Sequence, residues 1–399
     1  DLLRKWFERE TDVAIAYEAP PNAPVAHNVL GRGELVALYR EQDGYIRNIA
    51  VQRWTGREAA FAGRATLNFF GEGPFKATAS LAYTRDRNDG YNAIPVTYPA
   101  GAPILGDRAV SAAGCFYCNQ TPVVGRGENE QIAATLNLSY ALSDTATLRS
   151  ITAYVRTDDV FRWDLSGGTR TPTGFAATFV RNSRARSSQF SQELQLAGEA
   201  ADGRLDYLAG LFYFSEDSLQ TLNDVSNGFA LLPTTLDTRT SSVAAFAQAS
   251  FKITEALGVT AGVRYTEDKK RLNGSIQSGF APPITLVPVA RRDTFGAWTP
   301  KFGIDYTASR NVFVYASISR GYKAGGYNGL AVGNPLVLSA AYGPQTVWAY
   351  EAGVKLTSDD RRSRVNISVF QNELKGLQQT ATIAPFSFAT QNVGDARLN

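Results

Sequence analysis

The sequence predicts an all-β chain: a transmembrane antiparallel up-and-down β-barrel with short periplasmic turns, long extracellular loops and roughly fourteen strands of a larger barrel in view. Three observations predict it. Apolar and polar residues alternate with a period of two along segment after segment, the mark of a strand with one apolar face. The connections between those segments alternate strictly between short and long. Many of the segments run to about 10 residues or more, the length a tilted strand needs to cross a bilayer, whereas soluble sandwiches use strands of about 5–6.

Taken in order, residues 1–31 are an unassigned N-terminal flank and residues 32–399 the barrel region, truncated at the C-terminal end where Arg397-Leu398-Asn399 stops in mid-strand. The flank offers a short amphipathic helix from Asp1 to Glu10, a brief apolar run from Val13 to Tyr17, and the linker-like APPNAPVAHN. Alternation then recurs at 34–39, 61–70, 75–85, 132–142, 148–161, 189–196, 205–214, 243–253 and 259–265. It continues through a hairpin at 294–328, at 348–356 and 365–370, and in a last run near Phe386. In the clearest cases Ala134, Leu136, Leu138 and Tyr140 oppose Thr135, Asn137 and Ser139, and Val314, Ala316 and Ile318 oppose Tyr315, Ser317 and Ser319. The segment 205–214 is apolar on both faces and cannot be oriented from its pattern.

Short connections fall at 71–74, 143–145, 198–203, 254–257, 308–311 and 358–363; long ones cover about 88–129, 164–187, 221–239, 273–293 and 323–345. Five long loops on one end of the strands are foreign to a soluble domain and normal for an outer-membrane barrel. Because lipid offers the backbone no partners, a spanning sheet has to close on itself. The polar face then lines a wet lumen. Aromatics near strand ends, among them Tyr154, Phe161, Trp163, Tyr213, Phe214, Tyr265, Trp298 and Trp348, are expected in the interfacial girdles.

Bulk properties exclude several functions. A net charge of +3 with no basic run argues against nucleic acid as a partner. No apolar stretch reaches the ~18 residues of a membrane-spanning helix, and there is no signal peptide. The absence of Met marks a processed or truncated piece of a reading frame. A single histidine, His27, in linker-like sequence argues against an enzyme built on His acid–base chemistry and against a His-based zinc site, so no catalytic residue, metal or cofactor is assigned. Cys115 and Cys118 are a candidate loop-stapling disulfide of an oxidising compartment, with incidental thiols and a reactive pair as the other readings. Candidate ligand-facing loop residues are Tyr91, Tyr98, Arg126, Arg170, Phe280, Tyr327 and Tyr342. Arginines there could equally pair with lipopolysaccharide phosphates.

A series of collinear motifs resembles the barrel of TonB-dependent outer-membrane receptors of the proteobacterial type. Asp43-Gly44-Tyr45-Ile46-Arg47-Asn48 is similar to a DGY-x-x-N element after an early strand, Phe190 to Leu196 to the F-S-Q-E-L-R-L strand, and Gly262 to Lys270 to the G-L-R-Y-T-x-D strand. The most specific stretch carries Pro300, Lys301, Tyr315, Arg320, Gly321, Tyr322, Gly325, Gly326 and Asn328, and the glycines are expected to bend the strand at the barrel rim. Tyr350 to Lys355 and Asn392 to Ala396 follow in the family's order.

The resemblance implies energy-coupled uptake of a scarce ligand, such as a ferric siderophore, another iron complex, cobalamin or an oligosaccharide, in the outer membrane of a Gram-negative bacterium. Implied partners are outer-membrane lipid and lipopolysaccharide, the extracellular ligand, and a periplasmic transducer of the TonB type if the full-length protein carries a plug. Residues 1–31 match neither the energy-coupling box nor the plug of such receptors. The rival readings are a passive porin-like channel and, behind it, a soluble β-rich binding or adhesion module.

Overall fold

The computed structural model describes residues 12–18, 30–71, 73–90, 117–119, 121–164, 179–226, 229–230, 233–277, 285–329, 331, 334–384 and 387–399. The strands are β1 Asp12–Glu18, β2 Leu30–Gln42, β3 Ile46–Asn48, β4 Arg53–Thr55, β5 Glu58–Phe70, β6 Phe75–Asn88 and β7 Cys118–Asn119. Then come β8 Arg126–Ser143, β9 Ala146–Asp164, β10 Phe179–Ala200, β11 Leu205–Ser226, β12 Phe229–Ala230, β13 Thr234–Lys252, β14 Leu257–Gln277, β15 Leu286–Ser309 and β16 Val312–Lys323. After the short helix α1 (Pro335–Ser339) follow β17 Gln345–Thr357, β18 Arg364–Lys375, β19 Gln378–Ala384, β20 Ser387–Asn392 and β21 Ala396–Leu398.

One sheet holds β1, β2, β5, β6, β8, β9, β10, β11, β13, β14, β15, β16, β17, β18 and β21 in that order, with β12 paired to the side of β11. Each strand pairs antiparallel with its neighbours, the up-and-down meander that the alternation predicts. No described helix is long and apolar enough to cross a membrane. Within the unassigned flank, residues 12–18 join this sheet as β1, in register with β2 from Glu34 to Arg40. The expected run near Phe386 is instead a separate hairpin of β19 and β20, and Phe386 itself lies outside the described residues.

The predicted long loops shrink on inspection. Residues 179–187, 221–226, 234–239, 273–277 and 286–293, expected as loop, are strand. β10 and β11 run 22 residues each and β15 runs 24. At about 3.3 Å per residue and a tilt of about 45°, the longest of these rises by about 55 Å, roughly twice the ~25 Å apolar band. The upper halves therefore stand above the bilayer, without lipid on either face and with part of the inner face buried under other parts of the chain. Alternation vanishes there because neither face has lipid to meet, while the ladder hydrogen bonds continue unchanged.

Register sorts every strand into two faces. Phe190 and Leu194 of β10 lie opposite Ser215 and Leu211 of β11. Leu211 and Tyr213 in turn face Ala245 and Val243 of β13, which face Tyr265 and Glu267 of β14. Tyr265 packs against Trp298 with ring centres 4.9 Å apart and planes tilted by 44°, and Phe302 and Ile304 continue the same face toward Ile318 and Ala316. This is the lipid face, and it orients the ambiguous segment of β11: Tyr207, Ala209, Leu211 and Tyr213 point outward, Leu208, Phe212 and Phe214 inward. Three expected girdle residues are thereby corrected, since Phe161, Trp163 and Phe214 fall on the inner face.

On the inner face Arg264 lies over the rings of Phe212 and Phe246 at 5.2 and 5.5 Å. Lys355 covers Phe313 and Tyr315, and the Tyr315 hydroxyl meets the Glu351 carboxylate. One irregularity interrupts the wall. The β15–β16 ladder stops at Lys301 and Ser319, beside Pro300, which has no backbone N–H to offer a ladder. Above that point, among the described residues, β15 continues against β14 alone and β16 against β17 alone, so the rim forks. Arg320 spans the fork, donating from its guanidinium to the Trp298 carbonyl at 3.3 Å.

Candidate functional site on the inner rim

At the fork the exit of β16 turns inward and lies over the inner face of β13, β14 and β15. Leu236, Leu272, Ile276, Val289, Ala331 and Leu338 form a buried apolar cluster there, with Tyr327, Val337 and Ile383 packed against it. Two glycines make this seat possible. A Cβ on Gly325 would strike the Tyr342 carbonyl and come within 2.6 Å of the Phe295 ring, and a Cβ on Gly326 would come within 2.6 Å of the Tyr342 hydroxyl. Neither glycine has a positive φ, so the expected rim bend is replaced by close approach. Gly321, likewise, has Val347 where a side chain would go.

Gly325→Val is expected to destabilise this seat by about 1–3 kcal/mol, since a backbone carbonyl cannot rotate away. Gly329→Ala, whose nearest neighbour is Leu236 at 3.4 Å, should change stability by only about 0.5 kcal/mol. Limited proteolysis of the folded barrel, comparing cleavage between 324 and 344, separates the two.

Amides tie the seated segment down. Asn328, nearly fully buried, donates to the Val337 carbonyl at 3.3 Å and accepts from the Thr390 N–H at 2.7 Å. Asn392 accepts from the Gly343 N–H at 2.7 Å and donates to the Gly343 and Gly376 carbonyls. Gln378 donates to the Ala324 and Gly343 carbonyls. Asn334 caps α1 by accepting from the Val337 N–H, with Pro335 at its first position. Two motif asparagines thus hold β16's exit and the β19–β20 hairpin as one unit.

Beneath the seat is a cavity of about 220 Å³ lined by inner-face Ser218, Gln220, Thr238, Thr240 and Lys270, together with Tyr327 and Tyr342. The Tyr327 hydroxyl lies 2.8 Å from the Asp293 carboxylate and 3.1 Å from the Lys270 carbonyl. Burial, and then the Asp293 carboxylate, push the Tyr327 phenol well above its ordinary range; burial alone raises Tyr342. Both phenols are therefore neutral hydrogen-bonding groups.

A larger cavity, about 720 Å³, lies at the other side of the rim. Its inner-face lining is Glu58, Asn88, Asn129, Asp159, Phe161 and Trp163, with Tyr45 and Ile46 arriving from the small sheet of β3, β4 and β7. Here the DGY-x-x-N element finds its physical basis. Gly44 approaches the Thr55 backbone to where a Cβ would sit 2.9 Å from its carbonyl. Fully buried Asn48 accepts from the N–H groups of Ala50 and Val51 and donates to the Thr121 carbonyl at 2.9 Å. Thr121 in turn donates to Asp164 at 2.6 Å.

Of the sequence-predicted ligand residues, Tyr327 and Tyr342 share the smaller cavity. Arg126 does not join them: it is the first residue of β8, on the outward face, paired with Glu128 at 2.7 Å. The strand outruns the expected loop and carries Arg126 with it. Tyr91, Tyr98, Arg170 and Phe280 lie outside the described residues, as does Cys115; Cys118 is buried in β7 and is not a free thiol. Among the described residues no group of three or more His, Cys, Asp or Glu could hold a metal ion. Sequence reasoning missed Lys270, Gln220, Thr238, Glu58 and Asp159. Counting by twos upward from the lumen face, as from Arg264 through Thr266 and Asp268 to Lys270, reaches them.

Comparison with known proteins agrees with this architecture. The family model "TonB dependent receptor-like, beta-barrel" matches residues 75–399. The ferric yersiniabactin uptake receptor FyuA from Yersinia pestis superposes with a TM-score of 0.75 at 16% identity, over 97% of this chain and 54% of its own. The siderophore receptor PiuA from Acinetobacter baumannii gives 0.67 at 14%, over 97% and 58%. The copper transporter OprC gives 0.65 at 11%, over 92% and 53%. The chain thus spans little more than half the length of these structures, and at such identities the likeness is one of fold.

Proposed function

Because this chain belongs to the TonB-dependent receptor β-barrel family, a family of the Gram-negative outer membrane, we propose that it forms the wall and ligand vestibule of a receptor for energy-coupled uptake of a scarce, oxygen-rich ligand. A ferric siderophore is the first candidate. The observation that carries this is the smaller cavity, where one lysine, three hydroxyl side chains, an amide and two neutral phenols converge on the inner face above the membrane. Such a set suits the carbonyl, catecholate or hydroxamate oxygens of an anionic chelate, with Lys270 supplying the charge. One of the superposed structures is named as a ferric yersiniabactin uptake receptor and another as a siderophore receptor. A copper transporter shares the same fold, so the ligand follows from the vestibule's side chains. In the complete receptor a plug and a periplasmic transducer of the TonB type would supply the coupling. A Cys115–Cys118 disulfide would staple the loop that leads into β7.

The test uses the intact receptor in cells. Uptake of a radiolabelled ferric chelate should cease when the proton-motive force is collapsed; unchanged uptake would instead indicate a passive channel. Lys270→Gln should weaken binding of the anionic chelate about tenfold, the loss of one charge-assisted hydrogen bond, with the amount of folded barrel unchanged. Equal affinity in that variant would move the ligand to the larger cavity.

A further inference from the structure

The larger cavity differs from the smaller one in the sign of its inner face. Glu58 of β5, Asn88 of β6, Gly127 of β8 and Phe161 of β9 stand in one row across four strands, and in the inner row below it Asn129 stands opposite Asp159. These positions supply two carboxylates and no cation. The other carboxylates of the lining already have partners: Glu128 takes Arg85, Arg87 and Arg126, while Asp89 accepts from the Arg57 N–H at 3.2 Å and lies 3.8 Å from Arg53. Among the described residues Glu58 and Asp159 pair with no lysine or arginine, and Asp159 accepts from the Asn129 amide at 3.2 Å. The two cations of the lining do not offset them. Arg162 points outward, opposite Arg126, and Arg57 precedes the first residue of β5.

The aromatic lining points to the same ligand chemistry. Phe161 and Trp163 follow Asp159 at alternate positions of one strand, with ring centres 6.2 Å apart and planes crossing at 81°. Two rings at that angle form a corner, and Tyr45 brings a third ring from the small sheet. An aromatic corner beside a carboxylate suits an organic ammonium, because the ring quadrupoles attract the cation and the carboxylate supplies its counter-charge. Register relates this corner to the smaller cavity. Asp159 stands opposite Ala185, which stands opposite Gln220 of the smaller cavity's lining, two strand spacings or about 10 Å of wall. The same row runs on through Leu236 to Gly274, four residues from Lys270, so Asp159 and Lys270 are about 23 Å apart along the wall. No carboxylate is among the described residues that line the smaller cavity.

We propose that the ligand is dipolar: an anionic chelate seated at the smaller cavity, carrying on a flexible arm a protonated amine that Asp159, Phe161 and Trp163 hold in the larger one. Glu58 faces the same amine from across the cavity. This inference rests on the reading of the smaller cavity as the seat of the anionic chelate, and it adds the cationic half of the ligand. An arm ending in a carboxylate would be repelled by Glu58 and Asp159, so the larger cavity also selects against chelates that are anionic throughout.

The experiment measures binding to the intact receptor in isolated outer membranes. Three probes share one ferric tris-catecholate core and one flexible arm, which ends in a primary amine, in its N-acetylated form or in a hydroxyl. The amine probe should bind about tenfold more tightly than the other two, the effect of one charge-assisted hydrogen bond with its ring contacts. In the double variant Glu58→Gln, Asp159→Asn the three affinities should converge, with folding checked by the heat-dependent mobility of the barrel on gels. Equal binding of all three probes by the wild type would overturn the dipolar ligand and leave the anionic chelate in the smaller cavity. A hydroxyl probe as tight as the amine, with the acetylated probe weaker, would show a site for neutral hydroxyls and overturn the proposal as well. Binding of none of the probes would overturn the underlying reading of the smaller cavity. If the double variant fails to fold, a fourth probe ending in trimethylammonium decides on the wild type. It should bind about as tightly as the amine, since ring faces and carboxylates hold it without hydrogen bonds, and affinity no better than that of the hydroxyl probe would refute a cation site.

Discussion

Arg181→Ala is expected to cost about 3–5 kcal/mol, the penalty for leaving one member of a buried ion pair without its partner. Arg181 and Asp224 stand directly opposite on the inner face of β10 and β11, at 3 and 2% side-chain exposure. The guanidinium donates to Asp224 through Nε at 3.1 and 3.2 Å and through Nη at 2.8 Å. Removing the arginine strands a carboxylate that water cannot reach. Replacing both residues by leucine should recover most of the loss, since a buried pair contributes little beyond an apolar pair of similar volume. Urea midpoints of the refolded barrel in detergent give all three values. A double variant no better than Arg181→Ala would mean that other contacts of Arg181 dominate.

A second large effect tests where the membrane ends. Leu211 is 61% exposed on the lipid face, between Leu194 and Ala245. Leu211→Arg should cost about 2–4 kcal/mol, the depth-dependent penalty of a lipid-facing arginine. Leu219 occupies the same face of the same strand but lies beyond the Tyr213 girdle, opposite Arg186 and Asp237. Leu219→Arg should cost about 0–1 kcal/mol. Equal costs in vesicles would place both positions in one environment and displace the bilayer boundary assigned to β11.

These contrasts explain what the sequence could and could not disclose. Strand segments such as 243–253 and 314–318 were legible because lipid on one face and water on the other impose a period of two. The same strands became illegible above the girdle: 179–187 and 286–293 read as loop since neither face meets lipid and the inner face mixes buried polar and apolar groups such as Arg181, Ser183 and Val289. Parity was a second blind spot. Phe161 and Trp163 looked like girdle aromatics, yet they stand an odd number of residues from outward Tyr154 on the same strand and so point inward. At the site, Tyr327 and Tyr342 were named as aromatics in a loop, but Lys270 and Asp293 sat in strands whose inner face only the ladder identifies. Gly325 and Gly326 were legible as a motif, and their reason, close approach to Tyr342 and Phe295, required coordinates.

The forked rim carries one more consequence, for how such molecules share a crowded membrane. From 286 to 300 one edge of β15 has no strand beside it among the described residues, and a bare edge is a template for pairing with another chain. This edge is guarded. Pro288 and Pro300 interrupt its donors, and Arg291, Arg292 and Asp293 set consecutive charges along it. Arg291 further donates to the Ser339 carbonyl at 3.1 Å, drawing α1 toward the gap. The opening that lets the exit of β16 fold inward is thereby kept from recruiting a neighbour's strand into an aggregate.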